Sequence, residues 1–214
     1  MILWIAGWPH NGSTLVRQIL KDSFDLQPYS KYQEPGLVDV FGEDSLKFSK
    51  KYTEDQFRGY LYYQTRKETT IVKTHEIPVD DNPAIFVIRD GRDAVTALSH
   101  FWTIPIRDAI AGQGCVFGNW SSHWHAWNPL KRPRTLLVRF EDMILKPNDV
   151  CKDLEKFLGV EQERPYVDDF EEKRKIWPQL FNDRLDCWQK EMTESDLDLF
   201  WRCHKEVMGE AGYA

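Results

Sequence analysis

Apolar residues fall into two kinds of run along this chain. Four are short and apolar on both faces: ILWIA at 2 to 6, TIVK at 70 to 73, AIFVI at 84 to 88 and TLLVRF at 135 to 140. Continuous rather than alternating apolar character, in runs rich in β-branched and aromatic residues, suits strands covered on both sides, as in a parallel sheet. The other runs repeat with helical period, at 13 to 22, 54 to 66, 91 to 101, 119 to 127, 148 to 158 and 193 to 208. Two of them carry start signals. Asn148 stands before DVCKDLEKFL with Gly159 at its end, and Thr193 with Asp196 three residues on has the form of a capping box with Asp in place of Glu. Strand alternating with helix predicts an α/β doubly wound fold, a parallel sheet flanked by helices. The stretch 161 to 187 is charged and weakly periodic and reads as a long surface excursion. No repeat or low-complexity tract divides the chain, so residues 1 to 214 are expected to form a single domain.

Composition narrows the picture. A chain of 214 residues with 42% hydrophobic content can bury one good core and is short for two. The formal net charge is -6, so any bound anion must be met by locally placed basic side chains rather than by a general positive field. No nucleic acid partner is expected. Cys115, Cys151, Cys187 and Cys203 form no CxxC pair, which favours reduced thiols and a cytoplasmic setting. The opening MILWIAGWP lacks a basic n-region and is too short to span a bilayer, so it reads as a buried strand in a soluble protein, with no membrane partner.

The first strand runs into GWPHNGST, Gly7 to Thr14, which has GxxxxG followed by Ser-Thr opening a helix. Backbone N–H groups, two hydroxyls and a helix N-terminus then surround one point, an anion site on geometry alone. The plainer reading is a glycine turn capped by Ser13. The lysine that a nucleotide-hydrolysing P-loop places on the β and γ phosphates is missing, with Ser13 in its place. Positive charge must come from elsewhere. IVKTHEIP ends a strand with Lys73 and His75, alternate positions that project to one side of an extended chain. AIFVIRDGRDAV delivers Arg89 from a buried strand and turns through Gly91 into a helix. A guanidinium there suits bidentate phosphate contacts, while an Arg89 to Asp93 pair across the helix start is the structural alternative.

Together these three pieces resemble the sulfotransferases that use 3′-phosphoadenosine 5′-phosphosulfate (PAPS), from the first strand to FEDM and more weakly beyond. PHNGST is similar to that family's phosphosulfate loop, Lys73-Thr74-His75 to its catalytic segment, and Arg89-Asp90-Gly91-Arg92-Asp93 to the turn that grips the 3′-phosphate. HFW, GNWSSHWHAW and LLVRFEDMILKP are similar to its later landmarks. The resemblance implies a P-loop-like sulfotransferase architecture in a compact member, with PAPS as donor, adenosine 3′,5′-bisphosphate (PAP) as product and no metal. It implies His75 as general base, Lys73 on the 5′-phosphate side, Asn11, Gly12, Ser13 and Thr14 around the same group, and Arg89 on the 3′-phosphate. The acceptor is a hydroxyl on a small molecule, a glycan or a peptide.

Several positions depart from the family pattern. His10 stands where Lys or Arg usually neutralises the leaving oxygen. An imidazole with an ordinary pKa of roughly 6.5 is partly cationic near neutrality, so His10 is expected to take that part and turnover to weaken at high pH. Ala97 replaces the family serine that contacts the 3′-phosphate, with Thr96 or Ser99 as substitutes. The late Arg-Lys-Gly segment has no clean match, and Arg184, Arg174 and Lys175 are candidates for its contact. Leu15 replaces an aromatic that stacks on adenine. The family's C-terminal dimer motif is not recognisable in FWRCHKEVMGEAGYA. Trp120, Trp124 and Trp127 form a helical stripe, read as core with an acceptor wall as the alternative. His123 and His125 diverge on a helix, which argues against a metal pair. Two other functions share these motifs: a non-catalytic PAP-binding module and, less well supported without the lysine, an ATP-dependent small-molecule kinase.

Overall fold

The computed structural model describes residues 1–32, 56–167, 170–176 and 185–213. Among them five strands form one sheet, β1 (Ile2–Ala6), β2 (Pro28–Ser30), β3 (Thr70–Thr74), β4 (Ala84–Ile88) and β5 (Thr135–Arg139), in the order β2-β3-β1-β4-β5. Every pairing is parallel. All residues of β1, β3 and β4 are buried, as their continuous apolar character requires.

The side chains of β1 alternate between two cores. Ile2, Trp4 and Ala6 join one cluster with Phe86, Ile88, Leu98, Trp124 and Phe200, while Leu3 and Ile5 join another with Ile19, Val87, Val138 and Leu154. The first cluster is covered by α3 (Gly91–Trp102), α4 (Ile106–Ala111), α5 (Trp120–Trp127) and α10 (Glu194–Glu210). The second is covered by α1 (Ser13–Phe24), α6 (Phe140–Leu145) and α7 (Pro147–Leu158). Three further helices complete the described residues: α2 (Gln56–Gln64), α8 (Phe170–Ile176) and α9 (Trp188–Glu191). Helices on both faces of a parallel sheet are the doubly wound arrangement that the sequence predicts.

Some boundaries shift, each for a local reason. β5 stops at Arg139, and Phe140 opens a helix instead of closing a strand, because its ring faces the second core beside Met143. Helix α7 begins at Pro147 with Lys146 as its N-cap, two residues before the expected Asn148 cap. Proline suits the first helical turn because its missing N–H is not needed there. Gly159 closes the same helix in a left-handed conformation at φ 68°, as expected. The capping box at α10 is present: Asp196 N–H donates to Thr193 Oγ1 at 3.2 Å, and Thr193 N–H donates to Asp196 Oδ2 at 3.0 Å. Within the expected surface excursion, Phe170–Ile176 is helical, and the N–H groups of Glu163 and Arg164 donate to Ser23 O at 2.8 and 3.1 Å. The tryptophan stripe lies in the core, with Trp120, Trp124 and Trp127 no more than 3% exposed.

The topology creates one notable crevice. From β1 the chain departs through α1 toward β2 at one edge, and from β4 it departs through α3 toward β5 at the other. Loops leaving adjacent strands in opposite directions open a cleft at the carboxyl ends, where open α/β sheets take ligands.

One buried histidine ties the helical layer together. His204 of α10 donates from Nε2 to Ile110 O at 3.0 Å, and Ser121 Oγ lies 2.7 Å from Nδ1. Burial holds its pKa down at about 4. The unfolded chain therefore takes up a proton from about pH 6.5 downward that the folded protein refuses until near 4, so stability falls with pH across that window. The largest loss attributable to such a shift is on the order of 3 kcal/mol. Urea unfolding between pH 7 and 4.5 is expected to show this decline, with a shallower slope for His204→Gln; equal slopes would remove His204 from the account.

Candidate functional site

Beyond Ala6 the chain makes close backbone contacts that select its residues. A Cβ on Gly7 would lie 2.6 Å from Val87 O on the neighbouring strand, so only glycine fits. His10 and Gly12 both take positive φ, 61° and 100°. A Cβ on Gly12 would meet the Phe140 ring at 2.5 Å. Asn11 folds its side chain inward and donates from Nδ2 to Val87 O at 3.2 Å, which fastens the loop over the end of β4. Asn11 Oδ1 is buried without a partner.

Gly12 is the N-cap of α1 and supplies no side-chain cap. Ser13 lies inside the helix, so the reading of a turn capped by Ser13 does not hold. The leading N–H groups of α1 are left without a capping side chain, and its first turn carries no acidic residue. Such a terminus favours an anion through both hydrogen bonds and the helix dipole. Ser13 is buried and Thr14 half-buried in that turn.

His75 follows β3 at the level of Gly7. Its Nδ1 lies 2.7 Å from Gly7 O, and because a carbonyl only accepts, Nδ1 carries a proton and, in the neutral ring, Nε2 bears the lone pair. The backbone is held as well. Tyr32 Oη accepts from His75 N–H at 2.7 Å, and His123 Nε2–H donates to His75 O at 3.0 Å. Tyr32 stacks on the imidazole with centroids 5.4 Å apart, and Phe117 lies 5.5 Å away on a tilt. The Lys73 ammonium stands 5.3 Å from the centre of the same Tyr32 ring, so Lys73 and His75 do project to one side.

Arg89 leaves the end of β4 with its guanidinium 4.5 Å over the Phe140 ring. One nitrogen reaches His10 O at 3.5 Å. The Arg89 to Asp93 ion pair foreseen from spacing is present at 3.9 Å, the outer limit of such a contact. The structure thus brings the glycine turn, Lys73, His75 and Arg89 to one set of strand ends.

His10 differs from expectation. Burial, and then the positive charges of Arg89 and Lys73, hold its pKa down at about 3. The ring, which packs 4.9 Å from Phe101, is neutral at pH 7. The partly cationic imidazole expected from an ordinary pKa is therefore withdrawn, and with it the loss of turnover at high pH. That both cations act on His10 also marks how closely they gather about the loop.

Of the remaining candidates, two hydroxyls are engaged by backbone carbonyls. Ser99 Oγ donates to Ile104 O at 2.6 Å, closing the C-terminal end of α3, and Thr96 Oγ1 donates to Arg92 O at 2.8 Å. Each hydroxyl proton is given to a carbonyl, so neither stands in for the serine replaced by Ala97. Leu15 packs against the second core. Arg174 and Lys175 are exposed on α8, and Arg184 lies outside the described residues. Among the described residues no group of three His, Cys, Asp or Glu side chains is placed to hold a metal ion, and no helix is long and apolar enough to cross a membrane.

Three contributors escaped the sequence reading. His123 was weighed only as a metal ligand, yet it sits 1% exposed beneath His75 with a pKa held at about 4 by burial. Tyr32 and Phe117 carried no motif. Their contact with His75 spans 43 and 42 positions of sequence, and no local pattern announces it.

Comparison with known proteins agrees with this geometry. No curated protein sequence matches the chain. Among solved structures, mouse sulfotransferase SULT7A1 complexed with PAP superposes with a TM-score of 0.64 at 16% identity, covering 97% of this chain and 84% of its own. Retinol dehydratase in complex with androsterone and the inactive cofactor PAP gives 0.60 at 16% identity, covering 97% and 80%. The same enzyme with retinol and PAP gives 0.57 at 14%, covering 97% and 81%. At these identities the likeness is one of fold. The family model described as the sulfotransferase domain matches residues 2–212, nearly the whole length, and the chain belongs to the sulfotransferase family.

Proposed function

We propose that this protein transfers a sulfuryl group from PAPS to an acceptor hydroxyl, with His75 as general base. The observation that carries the reading is the bond from His75 Nδ1 to Gly7 O, which in the neutral imidazole leaves the lone pair on Nε2. A neutral imidazole fixed in this tautomer accepts a hydroxyl proton without first losing one of its own.

The donor would supply a sulfuryl group already activated for transfer, so the protein's work is positioning and charge stabilisation. The cradle fits such a group. The uncapped first turn of α1, with the Ser13 and Thr14 hydroxyls, would hold the 5′-phosphosulfate, and Gly12 and the inward fold of Asn11 keep the loop low enough for that approach. Lys73 would neutralise charge on the leaving phosphate. Arg89, delivered from the neighbouring strand, would take the 3′-phosphate. The PAP complexes of the structural neighbours support this choice of nucleotide.

His10 bears on a second reading. Its neutrality removes one of the two cations, Lys73 and His10, expected at the transfer end, which favours a PAP-binding module without turnover over a reading in which both groups neutralise charge. Transfer of labelled sulfate to a panel of phenols, alcohols and glycans decides between enzyme and sensor.

His75→Ala is expected to lower turnover by about 10²–10⁴-fold while PAP, titrated calorimetrically, binds within a few-fold of wild type. Retained turnover would remove the base assignment. In the free protein His10 stays unprotonated from about pH 4 upward, so kcat/KM between pH 6 and 9 should carry no descending limb from this group, and His10→Ala should leave the shape of the profile unchanged. A limb that vanishes in His10→Ala would show that the imidazole is charged during the reaction.

A further inference from the structure

The proposed reaction makes no use of Asp93, yet this carboxylate is among the most heavily bonded groups in the described structure. It lies in the first turn of α3 and is 2% exposed. Its Oδ2 accepts from Asp186 N–H at 2.9 Å, and its Oδ1 accepts from Cys187 S–H at 3.0 Å and Trp188 N–H at 3.1 Å. All three donors come from one short segment more than ninety residues away in sequence. A buried carboxylate is costly unless such partners meet it.

The same segment is fixed along α3 at two further points. The Arg92 guanidinium lies 4.2 Å over the Trp188 ring, and His100 pairs with Glu191 at the far end of the helix. Cys187 Sγ is 3.9 Å from Arg89 Nη2. Burial and the adjacent Asp93 push the Cys187 thiol upward, which keeps it a donor.

The consequence for Arg89 follows from where the donors sit. Asp93 Oδ2 stands 3.9 Å from Arg89 Nη2 and Cys187 Sγ lies 3.9 Å from the same nitrogen, so the carboxylate, the segment it binds and the guanidinium are packed together.

We infer that Asp93 is a positioning residue: by binding the backbone and thiol of Asp186 to Trp188 it holds that segment beside Arg89 and keeps the guanidinium set for a nucleotide 3′-phosphate. The inference rests on the proposed nucleotide site and names the residue that gives it selectivity for a phosphorylated ribose. Asp93 acts through Arg89 and needs no contact with ligand.

The test reads binding, not turnover. PAP and 5′-AMP, which differ by the 3′-phosphate, are titrated calorimetrically into wild type, Asp93→Asn, Arg89→Ala and the double variant. Wild type should prefer PAP, and Arg89→Ala should erase most of that preference. Asp93→Asn should lower PAP affinity about tenfold while changing AMP affinity less than twofold, and should add nothing in the Arg89→Ala background. Equal loss for both nucleotides is the mark of a merely structural role and overturns the inference, as does an unchanged or increased preference for PAP. If wild type shows no preference, or Arg89→Ala retains it, the nucleotide site itself is misassigned and the failure lies there. Should Asp93→Asn fail to fold, Cys187→Ala removes one of the three donors and leaves the rest. It should reduce the preference by a few-fold, and an unaltered preference in that variant overturns the inference equally.

Discussion

The cleft is built around backbone carbonyls that run out of ladder partners at the ends of buried strands. A buried carbonyl must be paired, and here the groups that pair them are side chains that also shape the site. Gly7 O is met by His75 Nδ1, Val87 O by Asn11 Nδ2 and His75 O by His123 Nε2. Just beyond, Gly118 O accepts from Trp8 Nε1 at 2.9 Å and Glu76 O from Trp127 Nε1 at 2.9 Å. The tautomer of His75, the low seat of the glycine loop and the position of the loop bearing Phe117 thus follow from one requirement. No separate device is needed to orient the imidazole.

Charge is arranged with the same economy. The chain has a formal net charge of -6, so an anion site needs cations gathered locally and shielded from neighbouring carboxylates. Lys73 and Arg89 arrive from strands on either side of β1, and both depress His10, the half-buried group between them. Asp93 stands 3.9 Å from Arg89, and its oxygens accept from donors of a distant segment. Glu141, which also acts on Arg89, is engaged by Asp90 N–H at 2.8 Å and Tyr213 O–H at 2.7 Å, and burial raises its pKa. Asp93 and Glu141 are therefore both committed to hydrogen bonds from the chain itself.

What could be read from the sequence follows the range of the interactions concerned. Fully buried strands announce themselves by apolar runs, and β1, β3 and β4 lie where ILWIA, TIVK and AIFVI place them. The edge strand β2 did not, since Pro28–Ser30 is three residues long and begins with a residue that donates no ladder bond. Phe140 looked like the last residue of a strand because a ring facing a core is equally apolar in either state. The glycine loop, Lys73, His75 and Arg89 were legible because each lies at a strand end with a local motif. Ser99 misled because spacing along a helix does not reveal that Ile104 O claims its hydroxyl. For His10 an ordinary pKa was assumed, whereas burial and two cations 63 and 79 residues away in sequence lower it.

The two sides of His75 have different origins, and this bears on how the molecule can vary. On one side stand elements tied to the sheet: the turn after β1, Lys73 within β3 and Arg89 at the end of β4. Their positions are fixed by register, with Ala6 level with Thr74 on one neighbour and Phe86 on the other. Moving any of them by one residue would turn buried side chains to the wrong face. On the other side stand Tyr32 and Phe117, which reach the imidazole from connecting segments. Their contacts with His75 are ring to ring, with one hydrogen bond from His75 N–H to Tyr32 Oη. Under the proposed function, a change in the shape of the acceptor would be met by replacing Tyr32 or Phe117 while the pairing of His75 Nδ1 with Gly7 O stays in place. Under the same proposal, a change of donor would require new residues at three strand ends at once.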